Sequence, residues 1–481
     1  MVLKKDFKKI SDWLWEIPKS FRSDMKVPAR IYASEKMLED VFRDRSVNQL
    51  INIATLPGIV RYALAMPDVH EGYGFPIGGV AAVDVEKGVI SPGGVGYDIN
   101  CGMRILKSEY TEKEVRPHLD RLATEIQKEV PSGLGRGRQM KFDIKSINKI
   151  LERGAQALVE KGFGEKEDLE NTESQGRLLQ ADPSFVSDRA KNRGRDQVGT
   201  LGSGNHFLEI QKVAEVFNRE IAQVFGLFKE QVVIMIHTGS RGLGHQIATD
   251  YIKMMMGAMK KYDIALPDRE LAACPINSPE GQKYLAAMAC GANYAWSNRQ
   301  MITNFVRKAW ENALGPKNSS LVQLYDVAHN IAKLEEYEIN DKKMKLCIHR
   351  KGATRAFPPA HPEIPEKYRK VGQPVLIPGS MGTASYILAG TKEGAQSWFS
   401  TCHGAGRTMS RRQAVRTISG QEVIKRLGKK GIIIKCWSPR GIAEEAPLAY
   451  KDIDSVVEVI HKAGLSKTVV RLMPLAVVKG E

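Results

Sequence analysis

The chain has 481 residues, 42% of them hydrophobic, and sets 71 Lys and Arg against 55 Asp and Glu for a formal net charge of +16. That length supports one large core or two to three ordinary domains, and no apolar run approaches the roughly 18 residues of a membrane helix. The basic excess raises the expectation of a polyanionic partner, nucleic acid above all, while aromatics at 7% and the lack of an RNP-type motif argue against a simple base-stacking module.

The first residues, MVLKKDFKKISDWLWEIPKSF, lack the apolar centre and small-residue cleavage site of a signal peptide. The cysteines, at 101, 274, 290, 347, 402 and 436, are scattered without a CxxC pair. The expectation is a soluble, intracellular, cytoplasmic protein with free thiols and no membrane association.

Residues 1–60 read as a helical and irregular opening segment. Ser34 caps EKMLEDVF, and a second periodic run, VNQLINIATL, stops at Pro57–Gly58. Trp13 and Trp15 are expected to pack. MPDVHEGYGFPIGG (66–79) reads as a loop that sets Asp68, His70 and Glu71 among glycines, a surface that something approaches closely. After the β-like VAAVDV comes SPGGVGYDINCGMRIL (91–106), in which Asp98 and Cys101 stand three residues apart in a glycine-rich loop. A carboxylate and a thiol fixed together suggest a divalent metal site.

Thr111 and Glu114 predict a capping box for a helix whose apolar face is Val115, Leu119, Leu122 and Ile126. A glycine- and arginine-rich link (132–139) and an amphipathic helix over 144–161 follow. Residues 163–196, with Arg189, Lys191, Arg193 and Arg195, read as a charged surface excursion and a candidate RNA or DNA contact. GTLGSGNHFLEI (199–210) places His206 between glycines and a strand. QVVIMIHTGSRGLGHQ (231–246) is a buried-strand pattern ending at His237, with glycines around Arg241. Helices are predicted near 245–261 and 280–313, the Tyr, Met and Trp of the second being core. LVQLYDVAHN (321–330) ends a strand at His329 and Asn330, and PVLIPGSMGTASYIL (374–388) repeats the arrangement without a histidine. The last quarter holds WFSTCHGAGRTMSRRQA (398–414), a strand GIIIKCW, a helix after Ala449–Tyr450, and a final strand ending VVKGE.

Of ten histidines, His206, His237, His329 and His403 each sit at a strand boundary or beside glycines. Such positions fix a side chain and leave it accessible. Together with Asp98 and Cys101 they point to a metal centre of Asp98, Cys101, His206, His237 and His329. Five ligands exceed a closed structural zinc site; a bridging thiolate makes a two-metal site, a recurrent arrangement for phosphoryl transfer. Ligand type alone suggests zinc first, with manganese or cobalt as alternatives. His403, in CHGAGR, is a candidate nucleophile, since a neutral imidazole needs no general base. The nearby glycines and arginines suit phosphate. The Walker A pattern and the KxDG lysine motif are both absent.

DINCGMR, GSGNHFLE, HTGSRGLG, DVAHN, PGSMGTASY and CHGAGR, in this order, resemble the motifs of the RtcB family of RNA-splicing ligases, over about residue 60 to Lys479. The resemblance implies one α/β (α+β) domain spanning 1–481, with stacked mixed β-sheets and helices outside. It implies a GTP- and Mn2+-dependent ligase that joins RNA 2′,3′-cyclic-phosphate or 3′-phosphate ends to 5′-hydroxyl ends, such as tRNA exon halves in splicing, and in RNA repair. Asp98, Cys101 and His206 would hold one manganese ion and Cys101, His237 and His329 the second, two per active site. The family's preference replaces zinc with manganese. His403 would carry the guanylate. The guanylate pocket would comprise Asn205, Phe207, Glu209, His329, Asn330, Pro378, Gly379, Ser380, Met381, Ser385, Gly404, Ala405, Gly406, Tyr450 and Lys479. Glu209 would accept from guanine N1–H and the exocyclic amine, and Tyr450 or Phe207 would stack on the base. Arg241, Arg411 and Arg412 are expected RNA phosphate contacts, and archease is an expected activating partner. The alternative is a two-metal phosphoesterase or nuclease acting on RNA, which needs the same metal ligands but no covalent histidine. A non-enzymatic reading is a basic RNA-binding protein with a structural metal.

Overall fold

The computed structural model describes residues 2–132, 142–316 and 320–480. Two mixed sheets carry the architecture. The first has seven strands in the order Lys8–Ser11, Leu14–Ile17, Ala29–Tyr32, Ile59–His70, Ile77–Asp84, Lys342–Lys351 and Asn330–Ile339. The second runs Val322–Ala328, Gly102–Thr111, Gln231–Thr238, Phe207–Val216, Ser466–Lys479, Ser385–Gly390 and Pro374–Ile377, with Ile433–Lys435 added in parallel to Ser466–Lys479. Pairing is otherwise antiparallel except where Ala29–Tyr32 meets Ile59–His70. One core joins the sheets, packing Leu64 and Val80 of the first with Val375, Ile377 and Leu388 of the second. This is the mixed-sheet α/β arrangement expected from the motifs.

The strand Gln231–Thr238 is buried along its whole length, which explains its unbroken apolar run. The helix Pro279–Leu314 packs against it and buries Trp296, Trp310, Tyr284 and Tyr294. Helices Glu35–Asp40, Arg241–Lys261 and Ile453–Lys462 lie where the periodicity places them. Ser34 accepts from Met37 N–H, and the Thr111–Glu114 capping box forms.

Four expectations change. The opening segment keeps its two helices, but its first 32 residues make three strands that complete the first sheet. Trp15 is buried there with its Nε1 donating to Ala33 O at 3.1 Å. The predicted loop at Asp68 and His70 is the end of the strand Ile59–His70; Asp68 tolerates burial because it has partners. The helix over 144–161 breaks at Gly154, whose φ of +59° ends Ile144–Arg153. The stretch 163–196 is only partly a surface excursion. Asp168 and Glu173 are buried, Asp168 clasped by both Arg307 Nη atoms at 2.7 Å. Glu173 is paired with Lys333 at 2.6 Å. Arg189, Arg193 and Arg195 do remain exposed, whereas Lys191 is buried. The predicted link at 132–139 lies, beyond Ser132, outside the described residues.

Candidate active site

Strand register brings distant motifs to one end of the second sheet. Met103 pairs with His237, Phe207 with His237 on its other side, and Gly102 with Ala328. Neighbouring strands lie about 4.8 Å apart. Cys101, His206, His237 and His329, each at or beside the end of one of these strands, must therefore converge. Two triads result, Asp98–Cys101–His206 and Cys101–His237–His329, each with its donor atoms within 4.8 Å of one another and both sharing Cys101.

The contacts show how the donors are aimed. Cys101 Sγ lies 3.5 Å from His206 Nε2 and 3.3 Å from His237 Nε2. His237 Nε2 lies 3.3 Å from His329 Nε2, and His206 Nε2 lies 2.8 Å from Asp98 Oδ2. His206 Nδ1 faces the carbonyl of Leu201 at 3.1 Å, which places its proton there and leaves the Nε2 lone pair for the centre. Ser240 N–H donates to Asp98 Oδ1 at 2.9 Å. A Cβ at Gly239 would stand 2.4 Å from that carboxylate, so only glycine admits it. Burial, with neighbouring positive charge, holds His237 and His329 well below the ordinary histidine range, so both are neutral donors. Burial would raise Asp98, but its bond to and charge interaction with His206, together with Cys101 and Arg241, outweigh this and keep it at about 2. Burial and then Asp98 push the Cys101 thiol well above its usual value; a cation is what would hold it as thiolate. The donor set thus suits one or two divalent ions.

A buried brace fixes this geometry from behind. Arg299, on the helix Pro279–Leu314, donates from Nη1 to Asn100 O and Thr238 O, both at 2.9 Å. Those residues directly adjoin Cys101 and His237. Its other nitrogens grip both oxygens of Asp326 at 2.8 Å, which also accepts from Arg104 Nε at 2.7 Å. All three side chains are fully buried. Glu173 Oε2 accepts from Ala328 N–H at 2.8 Å, next to His329.

Beside the triads a cavity of about 320 Å³ is lined by Asn205, Phe207, His329, Asn330, Pro378, Gly379, Ser380, Met381, His403, Gly404, Ala405, Gly406, Tyr450 and Lys479. Nearly all of the expected pocket is therefore assembled. Glu209 and Ser385 are not on this lining; Gln211 joins them, its Nε2 donating to both, at 2.7 and 3.0 Å. Burial raises the Glu209 carboxyl to about 7. Lys479 Nζ donates to Gly204 O at 2.7 Å. Glu445, which the motif reading passed over, is bonded to the Tyr450 hydroxyl and accepts from Arg407 and Arg411.

His403 follows the strand Ser400–Cys402, and its Nδ1 lies 2.5 Å from Asp68 Oδ2. The same oxygen accepts from His403 N–H at 2.9 Å and Gly404 N–H at 3.3 Å. Burial would raise Asp68, but the charge and hydrogen bonds of His403 prevail and hold it below the carboxylate range. Gly406, at φ +70°, closes the turn; a Cβ there would meet Asp68 O at 2.2 Å. Lys451 Nζ grips Pro67 O at 3.0 Å and Val69 O at 2.5 Å, on either side of Asp68. A carboxylate on Nδ1 fixes the tautomer that frees Nε2. Asp68→Asn is accordingly expected to slow any reaction at His403 Nε2 by about 10²–10⁴-fold with the fold retained, measured as single-turnover rate alongside circular dichroism.

Asp68 and His70 were visible as polar residues among glycines, but nothing local tied Asp68 to a residue 335 positions away. Lys351, which lines the cavity and which burial lowers to about 7, gave no signal. Glu71 pairs with Arg45 at the surface instead. Arg241 and Arg411 line an adjoining cavity with Asp98, Asn205 and His206. Arg412 is exposed and lines neither cavity.

Fold and cavity together define an α/β protein with two triads able to hold metal, sharing one thiol, and an oriented histidine beside them. The sequence profile of one family, described as tRNA-splicing ligase RtcB, matches residues 49–480. The chain is 53% identical to the tRNA-splicing ligase RtcB of Aeropyrum pernix over 98% of this chain and 99% of that protein. It is 52% identical to the protein of that name from Thermococcus kodakarensis, over 98% of both. It is 52% identical to the RNA-splicing ligase RtcB of Mycobacterium tuberculosis, over 90% of this chain and 100% of that protein. The chain belongs to the RtcB family. Among the described residues no helix is long and apolar enough to cross a membrane.

Proposed function

We propose that this protein is an RNA ligase that joins RNA 2′,3′-cyclic-phosphate or 3′-phosphate ends to 5′-hydroxyl ends, using GTP and two manganese ions, with tRNA exon halves as substrates. The observation that carries the reading is His403, held through Nδ1 by Asp68 at 2.5 Å, opening on the cavity that also meets the shared-thiol centre.

In this reading Asp68 keeps the His403 proton on Nδ1, so Nε2 attacks the α-phosphorus of GTP and pyrophosphate leaves. Water would open a cyclic end to the 3′-phosphate, which takes the guanylate from His403, and the 5′-hydroxyl then attacks that activated phosphate and displaces GMP. Asp98, Cys101 and His206 would hold one ion and Cys101, His237 and His329 the other. Manganese is taken from the motif resemblance; ligand type alone would put zinc first, with manganese or cobalt as alternatives. When bound, the ions would supply positive charge against the phosphates and lower the pKa of the attacking hydroxyl. Glu209, which lies off the cavity lining and accepts from Gln211, would have to turn toward the base to select guanine by accepting two N–H groups that adenine does not offer together, and Phe207 or Tyr450 would stack on the base. Archease would serve as activator, and the cytoplasm is the expected compartment.

The direct test is joining of a 5′-hydroxyl RNA to an RNA ending in a 2′,3′-cyclic phosphate. Product is expected with GTP but not ATP, lost on chelation and restored by Mn2+. Joining that survives without nucleotide would sink the guanylate route. The raised Glu209 adds a pH dependence. Proton and guanine compete for the same oxygens, so below about pH 7 the KM for GTP should rise, by up to about tenfold per pH unit. Glu209→Gln should flatten that profile; an unchanged slope would remove Glu209 from base recognition.

A further inference from the structure

The positive charge is unevenly placed. Residues 407–445 hold ten Lys and Arg against three carboxylates, so 39 residues carry +7 of the chain's +16. All three carboxylates are occupied within the segment. Glu445 pairs with Arg407 and Arg411, each at 2.9 Å. Glu422 pairs with Arg426 at 2.8 Å, and Glu444 with Arg440 at 3.5 Å. Lys435 pairs outside it with Asp120. Arg412, Arg416, Lys425, Lys429 and Lys430 remain exposed, and among the described residues none has a carboxylate within ion-pair distance.

Their spacing is regular. Arg412 and Arg416 are four apart on the helix Arg411–Thr417, and Lys425 and Lys429 are four apart on Gly420–Lys429. Each pair shares a face. Like charges so placed repel one another, a cost without return unless an anion neutralises them. The ridge is anchored at the cavity. Leu427 and Val423, on the inner side of the second helix, pack with Met381 of the cavity wall. Arg411, at the start of the first helix, lines both cavities. Trp437, 62% exposed, gives the segment an open aromatic ring.

We propose that this ridge docks the body of the RNA whose end enters the cavity, by neutralising backbone phosphates of its stem. The proposal rests on the ligase reading for the identity of the RNA end, and on charge and placement for the surface itself. Lysines on flexible stems suit phosphates, whereas lysine is depleted from the cores of protein–protein interfaces, which favours RNA over an acidic protein partner.

The test uses the full chain carrying Arg416→Gln, Lys425→Gln, Lys429→Gln and Lys430→Gln together. Binding of a fluorescent RNA hairpin with a single-stranded 3′-phosphate end is measured by anisotropy across salt concentration. Each duplex phosphate contact contributes about 0.9 to the slope of log K against log salt, so the slope should fall by up to about 3–4. A variant with the three lysines changed to arginine keeps the charge and should keep the slope, which separates charge from folding. An unchanged slope in the glutamine variant overturns the proposal; unchanged RNA binding with weakened poly-glutamate binding overturns it in favour of a protein-facing surface. Binding needs neither GTP nor ligation, so failure of the unsubstituted chain to ligate would count against the ligase reading and leave this result standing.

Discussion

His403→Ala is expected to reduce transfer of label from α-labelled GTP onto the protein to background, a loss of at least about 10³-fold. The argument rests on where the imidazole stands. Its Nδ1 is committed to Asp68 at 2.5 Å, and its ring lines the cavity. Its centroid lies 5.1 Å from that of His329. No other histidine on the cavity wall has a carboxylate on Nδ1 among the described residues; His70 faces the carbonyl of Asp68 instead, at 2.9 Å. The bond formed would be a phosphoramidate, so label should be acid-labile and alkali-stable, and should come from GTP and not ATP. Persistence of that label in the variant, with metal content verified, would remove His403 as nucleophile. Hydrolysis of RNA cyclic phosphates that continues without any label would instead favour the two-metal phosphoesterase.

Asp326→Asn is expected to cost about 3–5 kcal/mol of stability, because it strands two buried guanidinium groups. Asp326 is fully buried and bonded to both Arg104 and Arg299. Replacing a buried pair whole can be nearly neutral, but removing one partner leaves charge without compensation. The brace also holds Asn100 and Thr238, so metal uptake should fall as well. Urea unfolding with an unchanged slope and a lower midpoint is the measurement. A loss below about 1 kcal/mol would mean that water or another acceptor replaces the carboxylate.

The convergence of the candidate metal ligands was legible because strand-end histidines beside glycines share a local grammar, and register then had only to align them. The long core helix was legible from its aromatic spacing, but its polar face was not. Arg299 on that face looks like any charged residue in an amphipathic pattern until Asp326 and two carbonyls are seen to surround it. The first three strands were missed since each has only four residues and is stabilised by sheet neighbours rather than by its own periodicity. Asp168 and Glu173 looked solvated because their cations, Arg307 and Lys333, lie more than 130 positions away.

The strand Ser466–Lys479 lies between Phe207–Val216 and Ser385–Gly390, and its Lys479 pairs directly with Phe207. The central seam of the sheet thus joins segments some 270 positions apart. Loop-closure entropy must be met before such contacts repay it, so this seam should close late and slowly. Until it does, two long strands present unpaired edges, an invitation to aggregation. The cavity meanwhile lacks Lys479, so in the ligase reading a half-folded chain would not capture nucleotide. If the ligase reading holds, GTP bound afterwards should act as a folding ligand, shifting the equilibrium toward the closed sheet by mass action.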